Sequence, residues 1–422
     1  ATPPPDVDGQ LRWVASLVDA PPRGALAADA SFTRELADRI TEKTSTIGLA
    51  FFASNIATAQ QLKARVLFAE DIEEYRIVLL ALRNDEIEED RRRYALTYVL
   101  WLVGDRGATP ETLAGVLSQG PNREPGYRLD IATPVVSTLI GPDHEPLWVV
   151  LGPPECELAT APATALTDWT SDATGYLVRR LRKEEPLYWR ATCQGVVREE
   201  GAAPRPGITE RDVAWLMATA EGQPDPERLG YQISLLVEHY GSELVDLGRV
   251  RWSGPVALSA RATEPDGTVV RASADGVVED VDVPVETTVT VLVAPRARGG
   301  WIGSVSTVQR IADASWGIDD TTFGAPDNPH GLIAIRLDRW QGQVLVLARA
   351  SQVATVQLVD DDDGQVLDES SVDDRPVILS PGRGRPRDNL HVAALDATGS
   401  TLAAVELAAT NVDQDHVTAW DD

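Results

Sequence analysis

Five histidines, His144, His239, His330, His391 and His416, are scattered along the chain. None forms the H-x-x-x-H or H-E-x-x-H spacing that puts two imidazoles on one helix face to hold zinc. His144-Glu145 runs directly into Pro146, which opposes the helix such a site needs. A serine nucleophile needs a histidine oriented by a carboxylate and is usually displayed on a G-x-S-x-G turn. The nearest approach, Gly303-Ser304-Val305-Ser306, lacks the second glycine and reads as the end of a strand. Phosphate-cradling loops of the G-x-x-x-x-G-K-[ST] or G-x-G-x-x-G kind do not occur. Gly382-Arg383-Gly384-Arg385 is glycine-rich and basic, but the chain goes on to Pro386 rather than to a helix, so it reads as a hairpin loop. These readings assign no catalytic, cofactor-binding or metal-binding residue, and no cofactor is expected.

Carboxylates are too abundant for a catalytic pair to be picked out by spacing. Glu70, Asp71, Glu73 and Glu74 form one cluster and Glu86 to Asp90 another, both read as acidic hairpin rims. Asp360 to Asp363 before Gly364 has the oxygen density of a calcium loop, but the acids are consecutive rather than alternating and the flanks read as strands. Tryptophan outnumbers phenylalanine 11 to 5. Trp301, Trp316 and Trp340 fall in one Gly-rich region and are the candidate binding surface, where rings could stack on sugars or anchor a protein; core packing is the competing reading. Cys156 and Cys193, the two cysteines, sit in strand-like segments. Two readings stand for them: one disulfide, natural in an exported protein, or two separate buried thiols.

The formal charge of -27 excludes general affinity for nucleic acid, which needs a basic stripe. The basic runs Arg91 to Arg93 and Arg179 to Lys183 are flanked by acids. No stretch approaches the ~20 apolar residues of a membrane span. The chain opens without Met and without a signal-like sequence, so it reads as a trimmed or mature segment, with membrane attachment only through a segment absent from it. The basic residues are nearly all arginine, with lysine at positions 43, 63 and 183, which points to a GC-rich or halophilic source.

With 422 residues the chain exceeds the roughly 250 to 300 that one core usually serves, so more than one domain is expected. Pro3 to Pro5 suggest a stiff, extended lead-in over residues 1–30. Phe32, Leu36 and Ile40 recur at helical spacing behind Ser31, predicting a helix over Ser31 to Lys43. From Arg65 the pattern changes to β-prone runs, at 65–68, 76–82, 94–103, 147–151 and 176–181. Ala202 to Gly207 looks like a linker. Beyond it Thr209 with Asp212 predicts a helix cap, Val213, Leu216 and Met217 share a face, and a second helix runs through Ile233, Leu236 and Val237. Strands then resume at Arg249, with Asp363-Gly364 a strong hairpin signal and Thr398-Gly399 a weaker one.

The two halves run in parallel. Helix Ser31 to Lys43 matches the helical region from Thr209, and Arg65 to Phe68 matches Arg249 to Trp252. Leu96 to Gly107 matches Thr288 to Gly300, Trp148 to Leu151 matches Leu345 to Ala348, and Ala173 to Leu181 matches Asp362 to Ser370. The order suggests a diverged duplication, against the alternative that β-proteins resemble one another by pattern alone.

Residues Val344 to Leu407 contain Ala-Thr-Val-Gln-Leu-Val-Asp-Asp-Asp-Asp-Gly-Gln-Val-Leu and Leu-His-Val-Ala-Ala-Leu-Asp-Ala-Thr-Gly-Ser-Thr-Leu. This rhythm of strand, Asp, Gly turn and strand resembles the repeated hairpins in extracytoplasmic regions of actinobacterial membrane-anchored proteins of unknown function. The resemblance covers the C-terminal quarter, supplies no catalytic residues, and implies an extracytoplasmic location.

The sequence therefore predicts an α+β chain of two β-rich modules, each a helical segment followed by a mainly antiparallel sheet. Their expected bounds are 31–205 and 206–410, followed by a polar tail over 411–422. The expected role is a non-enzymatic extracytoplasmic binding or scaffolding module of a cell-envelope protein with a protein or glycan partner. The alternatives are a secreted carboxylate-dependent hydrolase, such as a glycoside hydrolase, and a carbohydrate-binding module.

Overall fold

Six consecutive apolar residues, Ile77 to Leu82, are each almost completely buried. A strand can do this only where both faces of its sheet are covered. In the computed structural model they form the middle of β2 (Tyr75–Arg83), which lies in a meander with β1 (Lys63–Ile72), β3 (Tyr98–Asp105) and β4 (Gly126–Arg128). The period of two divides the side chains cleanly. Val78, Leu80 and Leu82 face helix α2 (Ala30–Ile47) and the short helix α3 (Pro110–Gly115). Ile77, Leu79 and Ala81 face a second cluster, built from helix α1 (Val7–Asp19) and from β5 (Val136–Ile140) and β6 (Leu147–Leu151).

The structure describes residues 7–47, 62–85, 87, 94, 96–118, 126–130, 132–172, 175–261, 271–273, 278–280, 282–311, 315–325, 332–337, 342–348, 352–373, 375–382, 389–408, 410 and 416–420. The chain divides into two compact units. Unit 1 comprises Ala1–Ala202 together with Asp415–Asp422, and unit 2 comprises Ala203–Gln414.

Unit 1 continues past the meander into a two-sheet sandwich. One sheet has the order β5-β6-β9, with β9 spanning Tyr176–Arg180. The other has the order β8-β7-β10-β11, from β7 (Cys156–Pro162), β8 (Thr170–Asp172), β10 (Leu187–Cys193) and β11 (Val196–Ala202). Every strand pair is antiparallel. In β6, Leu147, Val149 and Leu151 join the cluster under the meander. Trp148 points the other way and meets Trp189 of β10 edge-on, ring centroids 6.2 Å apart.

Unit 2 begins with α4 (Glu210–Thr219) and α5 (Pro226–Tyr240). Asp212 reaches back to accept the Thr209 N–H at 2.8 Å, and Asp225 caps α5 by accepting from Arg228 N at 2.8 Å. Gly241 ends α5 at a φ of 51°, where a Cβ would stand 2.7 Å from the Ala203 carbonyl oxygen, so only glycine fits without strain. The helices cover a meander of β12 (Arg249–Arg261), β15 (Asp282–Pro295), β16 (Trp301–Ile311) and β17 (Ser315–Ala325); β13 (Arg271–Ser273) and β14 (Val278–Asp280) pair only with each other. The opposite face packs on β18 (Ile333–Leu337) and β19 (Gln343–Leu347), which form a sheet with β22 (Val377–Leu379). The far face of that sheet closes on β20 (Thr355–Asp360), β21 (Val366–Ser371), β23 (Leu390–Leu395) and β24 (Thr401–Glu406), in the order β21-β20-β23-β24.

Both units thus use the same wiring: helices over a four-strand meander, then a three-strand sheet of the first, second and fifth sandwich strands, then a sheet ordered fourth, third, sixth, seventh. The chain is α+β and β-rich, as the sequence predicts. By position β1 corresponds to β12 and β6 to β19, in line with two of the matched segments. Two other matches are corrected. Residues 96–107 hold β3, the counterpart of β16, whereas 288–300 belong mostly to β15; and β9 corresponds to β22, not to β21. Neighbouring strands of one meander share an apolar pattern, so a pattern match slips by one strand.

Three further expectations are overturned. The expected extended lead-in contains α1, because Trp13, Val14, Leu17 and Val18 lie on one helical face and are all buried; Pro21 and Pro22 end the helix without preventing it. The supposed linker at 202–207 is packed into unit 2, with Ala203 and Arg205 buried, Arg205 Nη1 bonded to the Leu244 carbonyl, and the Ala203 carbonyl accepting from Ser242 N at 2.9 Å. The supposed polar tail forms β25 (Val417–Thr418) on the outer edge of β11 and buries Trp420 to 1% exposure.

Candidate functional site

Cys156 and Cys193 stand opposite each other on β7 and β10 and are joined by a disulfide, with Cα atoms 4.1 Å apart. There is no free cysteine. The reading as two separate thiols is therefore excluded.

Of the three tryptophans expected to form one surface, Trp301 and Trp316 are not brought together. Trp301 opens β16, is half-buried against the cluster of Val289, Val291 and Phe323, and has the Arg249 guanidinium 5.7 Å from its ring centre. Trp301 pairs with Ala325, whereas Trp316 pairs with Arg310 at the other end of the same hairpin. At ~3.3 Å per residue the two backbone positions are about 30 Å apart. Trp340 lies outside the described residues.

Ser304 and Ser306, from the segment nearest a nucleophile turn, are buried beneath α5. Gln232, fully buried, donates through Nε2 to the Thr290 and Ser304 carbonyls at 3.3 and 2.9 Å and to Ser304 Oγ at 3.1 Å. One turn earlier Arg228 donates to Ser306 Oγ at 3.1 Å and pairs with Asp320. Ser253 and Thr290 share a hydroxyl contact of 2.8 Å. No histidine takes part in these contacts, so the serines serve a polar seam between helix and sheet. The same interface in unit 1, α2 on β1 to β3, is built on an apolar cluster, with Thr41 Oγ1 accepting from Ala64 N at its edge at 3.0 Å.

The seam reaches solvent beside Tyr231, which is 51% exposed and has the Arg228 guanidinium 4.8 Å from its ring centre. Trp215 on the adjoining helix is equally exposed. These two are the most exposed large aromatics among the described residues, and they give unit 2 a candidate binding surface. Helical phase could have found them: Val213, Leu216 and Met217 set the inward face of α4 and Ile233, Leu236 and Val237 that of α5, and Trp215 and Tyr231 fall off both.

The remaining charged candidates are engaged in pairs. Asp71 accepts from Arg76 at 2.6 and 2.7 Å, Glu70 accepts from the Tyr176 hydroxyl at 2.6 Å, and Glu73 pairs with Arg180. In the turn before Gly364, His391 Nδ1 is 2.5 Å from Asp361, Asn389 donates to Asp362 at 3.0 Å, and Asp360 and Asp363 accept backbone N–H groups. The four carboxylates therefore do not converge, and no cluster suited to a metal ion occurs among the described residues. Arg91 to Arg93, Glu88 to Asp90 and Arg383 to Arg385 lie outside the described residues.

The outer sandwich edges of the two units differ. In unit 1 the β-bulge at Arg198 turns both Arg198 and Glu199 toward the C-terminal segment. Glu199 accepts from Trp420 Nε1 at 3.0 Å and lies 3.1 Å from His416 Nε2, while Arg198 donates to the Ala419 carbonyl at 3.1 Å and stacks 5.4 Å from the Trp13 ring centre. In unit 2 the counterpart β24 has its bulge at the same place, at Leu402, and among the described residues carries no further strand; Leu402 is 49% exposed.

No protein-family model matches this chain, and no curated protein matches it. Among the described residues, no helix is long and apolar enough to cross a membrane.

Proposed function

We propose that this chain is a non-enzymatic extracytoplasmic binding or scaffolding module of the cell envelope, and that it binds through the helical face of unit 2. The observation that carries the reading is the pair of half-exposed aromatics, Trp215 and Tyr231, on adjoining helices. Rigid aromatics offer large contact area at small entropic cost and are enriched where proteins bind. The disulfide supports an oxidising compartment. The charge of -27 limits the ligand to neutral glycans, cations or basic proteins, since anionic polymers are repelled.

Co-sedimentation of the protein with insoluble cell-wall polysaccharide, and separately with a basic envelope-protein fraction, tests the proposal. The Trp215→Ala/Tyr231→Ala variant should lose binding in one of the two assays while keeping the wild-type melting temperature. Binding that is absent from both assays, or unchanged in the variant, overturns it.

A further inference from the structure

We infer that the outer edge of β24 is a strand-pairing site for the same edge of a second copy of this chain, joining two four-strand sheets into one. The inference extends the scaffolding reading above and rests on a different surface from Trp215 and Tyr231. Its first support is internal. The equivalent edge in unit 1, β11, takes an added antiparallel strand, Glu199 opposite Thr418 and Glu200 opposite Val417. The two edges share their bulge, between Ala191 and Thr192 on the partner strand in unit 1 and between Ala394 and Leu395 in unit 2. Where unit 1 has Arg198 holding the added segment, unit 2 presents Leu402 to solvent, and Thr401, Ala403, Ala404 and Glu406 are exposed with it.

The second support is chemical. Proteins blunt free edges with charge, shortness or cover. Edge strand β21 carries Asp368 and Glu369, β17 carries Asp319 and Asp320, and β1 carries Lys63, Arg65, Glu70 and Asp71. Edge strands β4 and β8 have three residues each, and β18 is bridged by Ala408. From Thr401 to Val405 β24 has neither charge nor cover, and its bulge at Leu402, a further device against edge pairing, is one that β11 shares and that does not keep β25 from pairing there. An uncharged edge has no means of selecting a basic strand, but it matches an identical neutral one. In a two-fold antiparallel pairing centred on Ala403 or Ala404, Glu406 of one copy opposes Ser400 or Leu402 of the other, so no like charges stand opposite. The alanines let the backbones approach, and Leu402 is covered. β22 and β25 are uncharged edges of three and two residues; β5 is uncharged too, but both its ends, Val136 and Ile140, are buried, and its exposed Leu139 provides a control.

Two copies of charge -27 repel at long range, so pairing should strengthen as salt is added, the Debye length falling from about 10 Å at 0.1 M to about 3 Å at 1 M. Sedimentation velocity on the full chain over a concentration series should show the 45.6 kDa species converting to twice that mass. The amides of 401–406 should gain protection from hydrogen exchange over the same range. The Leu402→Glu/Ala404→Glu variant should dimerise at least about tenfold more weakly, near 1.4 kcal/mol, with an unchanged melting temperature, whereas Leu139→Glu should dimerise as the wild type does. A monomer at every concentration and salt overturns the inference, as does a dimer unaffected by the double substitution, or protection of 401–406 that appears only when an unlike protein is added. None of these results bears on binding through Trp215 and Tyr231.

Discussion

The Trp420 indole meets that of Trp13 edge-on, ring centroids 5.7 Å apart and planes inclined at 68°, so the segment after β25 is fastened to α1 inside unit 1. Both rings are 1% exposed. Trp420 also donates to Glu199, a carboxylate with almost no solvent of its own. Trp420→Ala therefore removes buried aromatic surface and takes from a buried carboxylate oxygen its indole donor, each a recognised route to large destabilisation. The expected cost is about 3–5 kcal/mol, appearing in the thermal transition of unit 1. An unchanged transition would show that the tail does not contribute to the core.

The disulfide gives a second handle on unit 1. It closes a segment with a sequence separation of 37, for which loop-closure entropy alone corresponds to about 4 kcal/mol. Reduction, or Cys156→Ala/Cys193→Ala, should lower the unit 1 transition and leave that of unit 2 in place. Calorimetry with and without reductant checks this, and a shift in the unit 2 transition would contradict it.

Acid should act on unit 1 through Asp71 and Asp19. The bidentate bond from Arg76 holds the Asp71 carboxyl below its ordinary range, against the opposing effect of burial. For Asp19, burial pushes upward, but the Tyr94 hydroxyl at 2.5 Å, Arg83 at 2.6 Å and Arg65 at 3.5 Å outweigh it and the net shift is downward. A carboxyl depressed in the folded state binds fewer protons than in the unfolded chain. Its contribution is therefore complete above about pH 4 and is lost as pH falls through the folded value. Asp71→Asn should cost about 2 kcal/mol at neutral pH and should flatten the acid limb of a stability-against-pH curve. An acid limb identical to wild type would refute the assignment.

How much of this was legible in the sequence depended on whether one segment carried its own signal. α2 was readable because Phe32, Leu36 and Ile40 repeat at helical spacing, although its start is fixed by Asp29, whose carboxylate accepts from Ser31 N and Phe32 N, rather than by Ser31. The strand runs were readable because Ile77 to Leu82 are apolar on both faces. Sheet order was not, since each pairing joins segments whose patterns are interchangeable. The β25 clasp was hidden because one apolar ring, Trp420, sits among polar neighbours, and its partners Trp13, Arg198 and Glu199 are remote in sequence. Proximity along the chain does not locate an aromatic surface, because Trp301 and Trp316 are separated by the length of a hairpin.

Dissecting the chain at Ala202 brings the clasp and the linker correction together in one experiment. Unit 2 is a compact unit over Ala203–Gln414, so that fragment should fold cooperatively alone. A fragment ending at Ala202 lacks β25, leaving the β11 edge unpaired, Glu199 without the Trp420 donor and Trp13 without its ring contact. It should be less stable than unit 1 in the intact chain by several kcal/mol, of the order of about 3–5 from the indole alone. Adding a peptide of residues 415–422 should raise its melting temperature in a concentration-dependent way, as mass action requires of a ligand that binds only the folded state. The same peptide with Trp420→Ala should not. In the intact chain, protease should spare 202–207, because Ala203 and Arg205 are buried and hydrogen-bonded there. Early cleavage at that segment would restore the linker, and a 1–202 fragment as stable as the intact unit would remove the clasp from the fold's energetics.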